Sequence, residues 1–145
     1  NAVRGIMGDP TRVISTEIWH SGLCIHSLLQ FGQDVRCAMN WIYLPYQKNY
    51  SEKLAFYGSN TRVRIQFPSP YLLHTPTPVI IQHGAEDHSL REERIIVSYE
   101  EEFRNELIQF YEYLHGRAKP ETTVEDAKAD LYWLQQMALK ATGGC

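Results

Sequence analysis

Long apolar runs are missing from this 145-residue chain. No stretch approaches the roughly 20 apolar residues that a membrane-spanning helix needs, so no membrane partner is expected. Cysteine is scarce. Cys24, Cys37 and Cys145 are too few, and odd in number, for a disulfide framework. Cys24 and Cys37 read as small apolar strand residues and Cys145 as a free thiol. With so little cysteine the expected compartment is the cytoplasm. Basic residues show no excess either: 14 Lys and Arg stand against 17 Asp and Glu, for a net charge of −3. That balance gives no electrostatic footprint for nucleic acid. Gly5, Gly8, Gly22 and Gly32 never form a GxGxxG fingerprint after a strand, and there is no Walker-type lysine loop. These residues are therefore not expected to hold a nucleotide cofactor themselves.

What is present suits one folded domain of ordinary size. Apolar residues make up 43 % and charged residues 21 %, and the length is enough to bury one core. The opening "NAVRGIMGDPTRV" reads as a helix, with Val3, Ile6 and Met7 at helical spacing, Gly8 as its stop and Asp9-Pro10 turning the chain away. A helix that starts at the first residue without a cap leaves its amide groups unpaired. The period then changes. "RVISTEIWH" alternates and is rich in β-branched and aromatic residues, as a strand is. "LCIHSLLQFGQDVRCAMNWIYL" reads as a hairpin turning at Gly32-Gln33-Asp34, and "EKLAFYGSNTRVRIQF" as another turning at Gly58-Ser59-Asn60. "TPVIIQHG" and "REERIIVS" supply two further strands. Between the second hairpin and these lies "FPSPYLLHTPTP", whose four prolines predict a long ordered loop.

The last third is helical. In "YEEEFRNELIQFYEYLHG" the stripe Phe103, Leu107, Phe110, Leu114 follows glutamates at the dipole-favoured start, and Gly116 marks the end. The next segment starts with Thr123 and Asp126 spaced as a capping box. Ala127, Leu131, Leu134, Ala138 and Ala141 form its apolar stripe, and Gly143-Gly144 ends it. The predicted fold class is α+β: a mostly antiparallel open sheet of about six or seven strands, with helices on one face. The helix-free face would carry Trp19, Trp41, Tyr43 and Phe67 if they share it, which is more aromatic surface than a lone domain exposes. A partner subunit on that face is the expectation.

No catalytic constellation emerges from the residues alone. "HGAEDH" (83–88) places two histidines and two acids together, but no further Cys or His supports a zinc site, and a solvated turn is expected. Cys24 and His26 share a strand face without an orienting third group or an oxyanion site. His20 and His26 read as partly buried strand residues. Arg62 and Arg64 read as a solvated strand face, and Glu100-Glu101-Glu102 as a helix start.

The two ends carry a resemblance. "FRNELIQFYEYLHGRAKPETTVEDAKADLYWLQQMALKA" resembles the C-terminal signature of the glucose-fructose oxidoreductase/inositol dehydrogenase (Gfo/Idh/MocA) family, a helix "F..EL..F...L.G..P" followed by "T..EDA..DL..L..M..A". Phe103, Glu106, Leu107, Phe110, Gly116 and Pro120 fill the first part. Thr123, Glu125, Asp126, Ala127, Asp130 and Leu131 fill the second. The opening is similar to the family helix "H..D..R...G.P..V": Asn1 stands at the Asp position, with Arg4, Gly8, Pro10 and Val13 in step.

The resemblance implies a piece of a longer protein, one C-terminal domain over 1–145 that begins inside the family's catalytic helix. A preceding Rossmann domain would bind NAD or NADP, and a lysine of an E-K-P motif with the helix His would assist transfer at a sugar or polyol carbon. This domain would supply the floor of the substrate site and a homo-oligomer interface through its open sheet face. It would hold no cofactor, no metal and no catalytic residue of its own, since the amide of Asn1 cannot exchange protons near neutral pH. Asn1 is a substrate-binding candidate by family position. Trp19 and His20 at the end of the first strand, and Tyr71 and His74 in the proline-rich loop, are candidates by polarity and place. Arg4 is expected to brace the helix against the sheet. The expected function is that of the substrate-binding and oligomerisation domain of an NAD(P)-dependent oxidoreductase, inactive alone. The alternative is a free-standing binding or dimerisation module.

Overall fold

A computed structural model describes residues 2–142. The opening helix, α1 (Ala2–Met7), ends at Gly8. Gly8 adopts φ +75°, a left-handed value that favours glycine, and its amide donates to the Arg4 carbonyl at 2.8 Å. Seven strands follow: β1 (Arg12–Trp19), β2 (Cys24–Phe31), β3 (Val35–Ile42), β4 (Glu52–Tyr57), β5 (Thr61–Phe67), β6 (Val79–Gly84) and β7 (Leu90–Ile95). Two helices close the chain, α2 (Glu102–Leu114) and α3 (Val124–Thr142). The architecture is α+β with antiparallel strands throughout.

The expected single open sheet is instead two sheets. One has the order β1-β2-β3 and the other β4-β5-β6-β7. Each hairpin turns where its glycine predicts, at residues 32–34 and 58–60. The eleven residues between β5 and β6 form the proline-rich loop. Chain contacts divide along the same line into two compact units, one made of residues up to Gln47 and from Glu121 onward, the other Lys48–Pro120.

In the first unit the register sorts the side chains. Val13 opposes Leu29, which opposes Cys37, and Phe31 opposes Val35. Directly opposed residues share a face, so this face carries an apolar row, and α1 and α3 cover it. Val13, Leu29 and Phe31 are buried, with Val3 and Met7 of α1 and Trp133 and Met137 of α3 packed on them. Full burial of a Leu or Phe side chain is worth about 1.5–3 kcal/mol, so these three residues anchor the unit. Burial also pushes the Cys37 thiol above its usual range, leaving it protonated and inert. Farther along the same face, Ile18, Met39 and Trp41 remain exposed, Trp41 at 64 %. Trp19 opposes Cys24, and Trp41 opposes Ile25 one residue on, so the two tryptophans lie on opposite faces and not on one.

Two expectations are corrected here. The face of α3 that packs is Asp130, Trp133 and Met137. The predicted stripe residues Leu131 and Leu134 are 66 % and 55 % exposed. Arg4 braces α1 against α3, not against the sheet. Its Nη1 donates to Asp130 Oδ1 at 2.8 Å and to the Asp126 carbonyl at 3.0 Å, while Nε donates to Asp9 Oδ1 at 2.6 Å.

The second unit is an amphipathic sheet with α2. Leu54, Ile65, Val79 and Ile95 lie in one cross-strand row, and Phe56, Val63 and Ile81 in the next, all half-buried. The opposite face carries Arg62, stacked over the Tyr57 ring, and Arg64, 3.8 Å from Glu92. The stripe Phe103, Leu107, Phe110, Leu114 of α2 is exposed. Only Glu102 of the three glutamates lies in the first turn; Glu101 is the N-cap. Gly116 at φ +69° ends the helix, and Arg117 donates its amide to the Glu112 carbonyl at 2.9 Å.

Candidate functional site

A groove of about 320 Å³ lies in the first unit, between the start of β1 and the last turns of α3. Its β side is set by a bulge. The register shifts between Val13 and Ser15, so Ile14 is the extra residue and lines the groove. Bulges re-aim side chains and recur beside functional sites. A small net of hydrogen bonds holds this end of the sheet. The Thr11 amide donates to the Gln30 carbonyl at 2.7 Å, and the Gly32 amide donates to Thr11 Oγ1 at 2.9 Å. Gln30 Nε2 donates to the Gly32 carbonyl at 2.6 Å, and Arg12 Nε donates to Gln30 Oε1 at 2.9 Å.

The α3 side brings Tyr132, Trp133, Gln136 and Lys140. The spacing Trp133, Gln136, Lys140 is one helical stripe. Trp133 has one side on the core and meets the Tyr132 ring edge-on, with centroids 5.1 Å apart. The groove wall therefore carries two cations, an amide and two aromatic rings, and no carboxylate. None of these residues stood out in the sequence. Their only signal was the adjacent Tyr-Trp pair on a helix, and the entry of Ile14 depends on a bulge no pattern announces.

The sequence candidates lie elsewhere. Asn1 is outside the described residues. Trp19 ends β1 at 37 % exposure, and His20 opens a left-handed turn (His20–Gly22) with φ +50°. His20 is therefore an exposed turn residue, not a strand residue, while His26 does lie in β2, its Nδ1 2.8 Å from Asn40 Oδ1. Trp19 and His20 adjoin one another. Tyr71 and His74 belong to the other unit, in the proline-rich loop. Tyr71 is 83 % exposed with its ring centroid 6.2 Å from that of Phe103. His74, at φ +55°, borders a cleft with Glu100, Glu101 and Glu102 whose free volume is only about 10 Å³. That is room for no more than a single water. The structure thus yields two pairs of candidates, each local to its own unit.

"HGAEDH" is the turn from β6 to β7. The Ser89 amide donates to Asp87 Oδ1 at 2.9 Å, and the Ser89 hydroxyl, with this amide second, holds the Asp87 carboxyl below its usual pKa range. His83 Nδ1 lies 3.1 Å from Thr61 Oγ1. Among the described residues no three His, Cys, Asp or Glu side chains gather as metal ligands would. Cys24 and Cys37 are free, and among the described residues no helix is long and apolar enough to cross a membrane.

Set beside protein-family models, curated proteins and solved structures, the chain matches none of them.

Proposed function

We propose that this chain is the substrate-binding and oligomerisation domain of an NAD(P)-dependent sugar or polyol oxidoreductase of the Gfo/Idh/MocA type, with no turnover of its own. One observation carries the reading. The two terminal segments that hold the resemblance lie 122 and 126 residues apart, yet Arg4 of the first hydrogen-bonds both Asp126 and Asp130 of the second. Some of the other pattern residues also have structural work in place. Gly8 and Gly116 end helices in left-handed conformations, and Thr123 and Asp126 exchange capping hydrogen bonds at 2.9 and 3.1 Å. These polar and glycine members meet a stereochemical need, which supports the resemblance, while its apolar members Phe103, Leu107, Phe110 and Leu131 are exposed.

Hydride transfer needs a positioned nicotinamide. The described residues offer no glycine-rich cradle for one, so the NAD or NADP would sit on a Rossmann domain joined before Asn1. This domain would contribute the floor beneath a substrate and the surface through which copies associate.

The test is the reading frame upstream of Asn1 and the activity of its full product. The proposal expects a strand followed by a glycine-rich turn to be encoded there. It also expects NAD(P)-dependent oxidation of a sugar or polyol by the full product and none by residues 1–145 alone. A natural product that starts near Asn1 and is stable by itself would replace this reading with the free-standing binding or dimerisation module.

A further inference from the structure

We propose that the groove between β1 and α3 binds a monosaccharide-sized sugar or polyol carrying one phosphate or carboxylate group, with Arg12 and Lys140 holding the anion and Tyr132 and Trp133 flanking the ring. The volume sets the size of the ligand. About 320 Å³ is at the lower end of ligand pockets, enough for one six-membered ring and its substituents and too small for a dinucleotide.

Charge sets the anionic group. Arg12 and Lys140 come from different elements, and neither is ion-paired among the described residues, whereas Arg4, Arg104 and Arg117 each face carboxylates. With no carboxylate on the wall, an anion bound in the groove meets a cationic side chain from each wall and displaces no ion-pair partner among the described residues. The Gln30 bond to Arg12 Nε fixes the guanidinium and leaves its terminal nitrogens for the ligand. The rings set the body, since the apolar C–H face of a sugar ring packs on an aromatic side chain, and Gln136 offers both a donor and an acceptor to hydroxyls.

Choice of a sugar body rests on the proposed function; the anion site rests on Arg12 and Lys140 alone. The full-length protein is titrated calorimetrically, without NAD(P), with glucose 6-phosphate, glucose and phenyl phosphate as probes. Glucose 6-phosphate is expected to bind at least tenfold more tightly than glucose. Arg12→Gln and Lys140→Gln are each expected to weaken it about tenfold, Lys140→Arg to restore it, and melting curves to stay unchanged. Equal binding by the wild type and the Arg12→Gln/Lys140→Gln double variant overturns the proposal, as does no binding of any probe. Binding of phenyl phosphate without glucose 6-phosphate overturns the sugar body. Because no turnover is measured, these failures are separate from a failure to find NAD(P)-dependent activity.

Discussion

Arg4 and Asp130 show what single side chains do here. The guanidinium donates to the Asp130 carboxylate at 2.8 Å and holds that carboxyl below its usual range. A depressed carboxyl pKa stabilises the folded state fully above the unfolded value of about 3.9, and the contribution fades as pH falls through the lower, folded value. Asp130→Asn is therefore expected to unfold at lower urea than the wild type at pH 7, with the gap closing below about pH 4. Urea midpoints measured from pH 2 to 7 check this; a gap that does not change with pH would mean that the charge contributes nothing. Thr123 offers a second case. Its Oγ1 accepts the Asp126 amide at 3.1 Å while Asp126 Oδ2 accepts the Thr123 amide at 2.9 Å. Thr123→Ala is expected to cost about 1 kcal/mol, the usual worth of an N-cap, read from the same urea curves.

At the level of the element, α3 shows how a helix chooses its face. Its 3.6-residue period was legible in the sequence, but the choice of face was not, because Ala127-Leu131-Leu134-Ala138 is a regular stripe in its own right. What sets the roll of the helix is the clasp from α1. Arg4 requires Asp126 and Asp130 to face it, and Trp133 and Met137 follow on the same side at three and seven residues beyond Asp130. The large side chains then meet Val13, Leu29 and Phe31, and the leucines face outward. Trp133→Ala is expected to cost about 2–3 kcal/mol, somewhat less than a fully buried aromatic, and Leu131→Gln less than about 0.5 kcal/mol. Equal losses in thermal or urea unfolding would restore the leucine face as the packed one. The hairpins were legible for a different reason, since each turn announces itself through a glycine followed two residues on by Asp or Asn. The groove was not, because its residues meet only when a bulge and a helix roll coincide.

For the whole molecule, burial is uneven, and the unevenness has consequences that can be measured. Every fully buried residue in the strands belongs to β1 or β2, whereas no described residue of Lys48–Pro120 is buried. Opening free energy follows buried apolar contact, so amide exchange should be slowest in β2 and faster in β5 and β6, although these too are central strands. The exposed apolar surface is uneven as well. Ile18, Met39 and Trp41 share the face of β1-β2-β3 beyond the reach of α1 and α3, with Trp41 at 64 % exposure. Contiguous apolar surface of this kind marks an interaction site, and a stable interface needs about 800 Å² on each partner, centred on large aromatic anchors. The sequence placed the contact between copies on the helix-free face; this exposed surface lies instead on the face that also packs α1 and α3, and the variants below test whether copies meet there. Trp41→Glu in the full-length protein would place a charge at the centre of that contact, in two copies if the axis passes close by. Sedimentation velocity over a dilution series is expected to show a smaller species for Trp41→Glu than for the wild type. Leu131→Glu, on the exposed side of α3, is expected to leave the size unchanged. The reverse pattern would move the interface to the leucine stripe, and with it the reason those leucines are left uncovered.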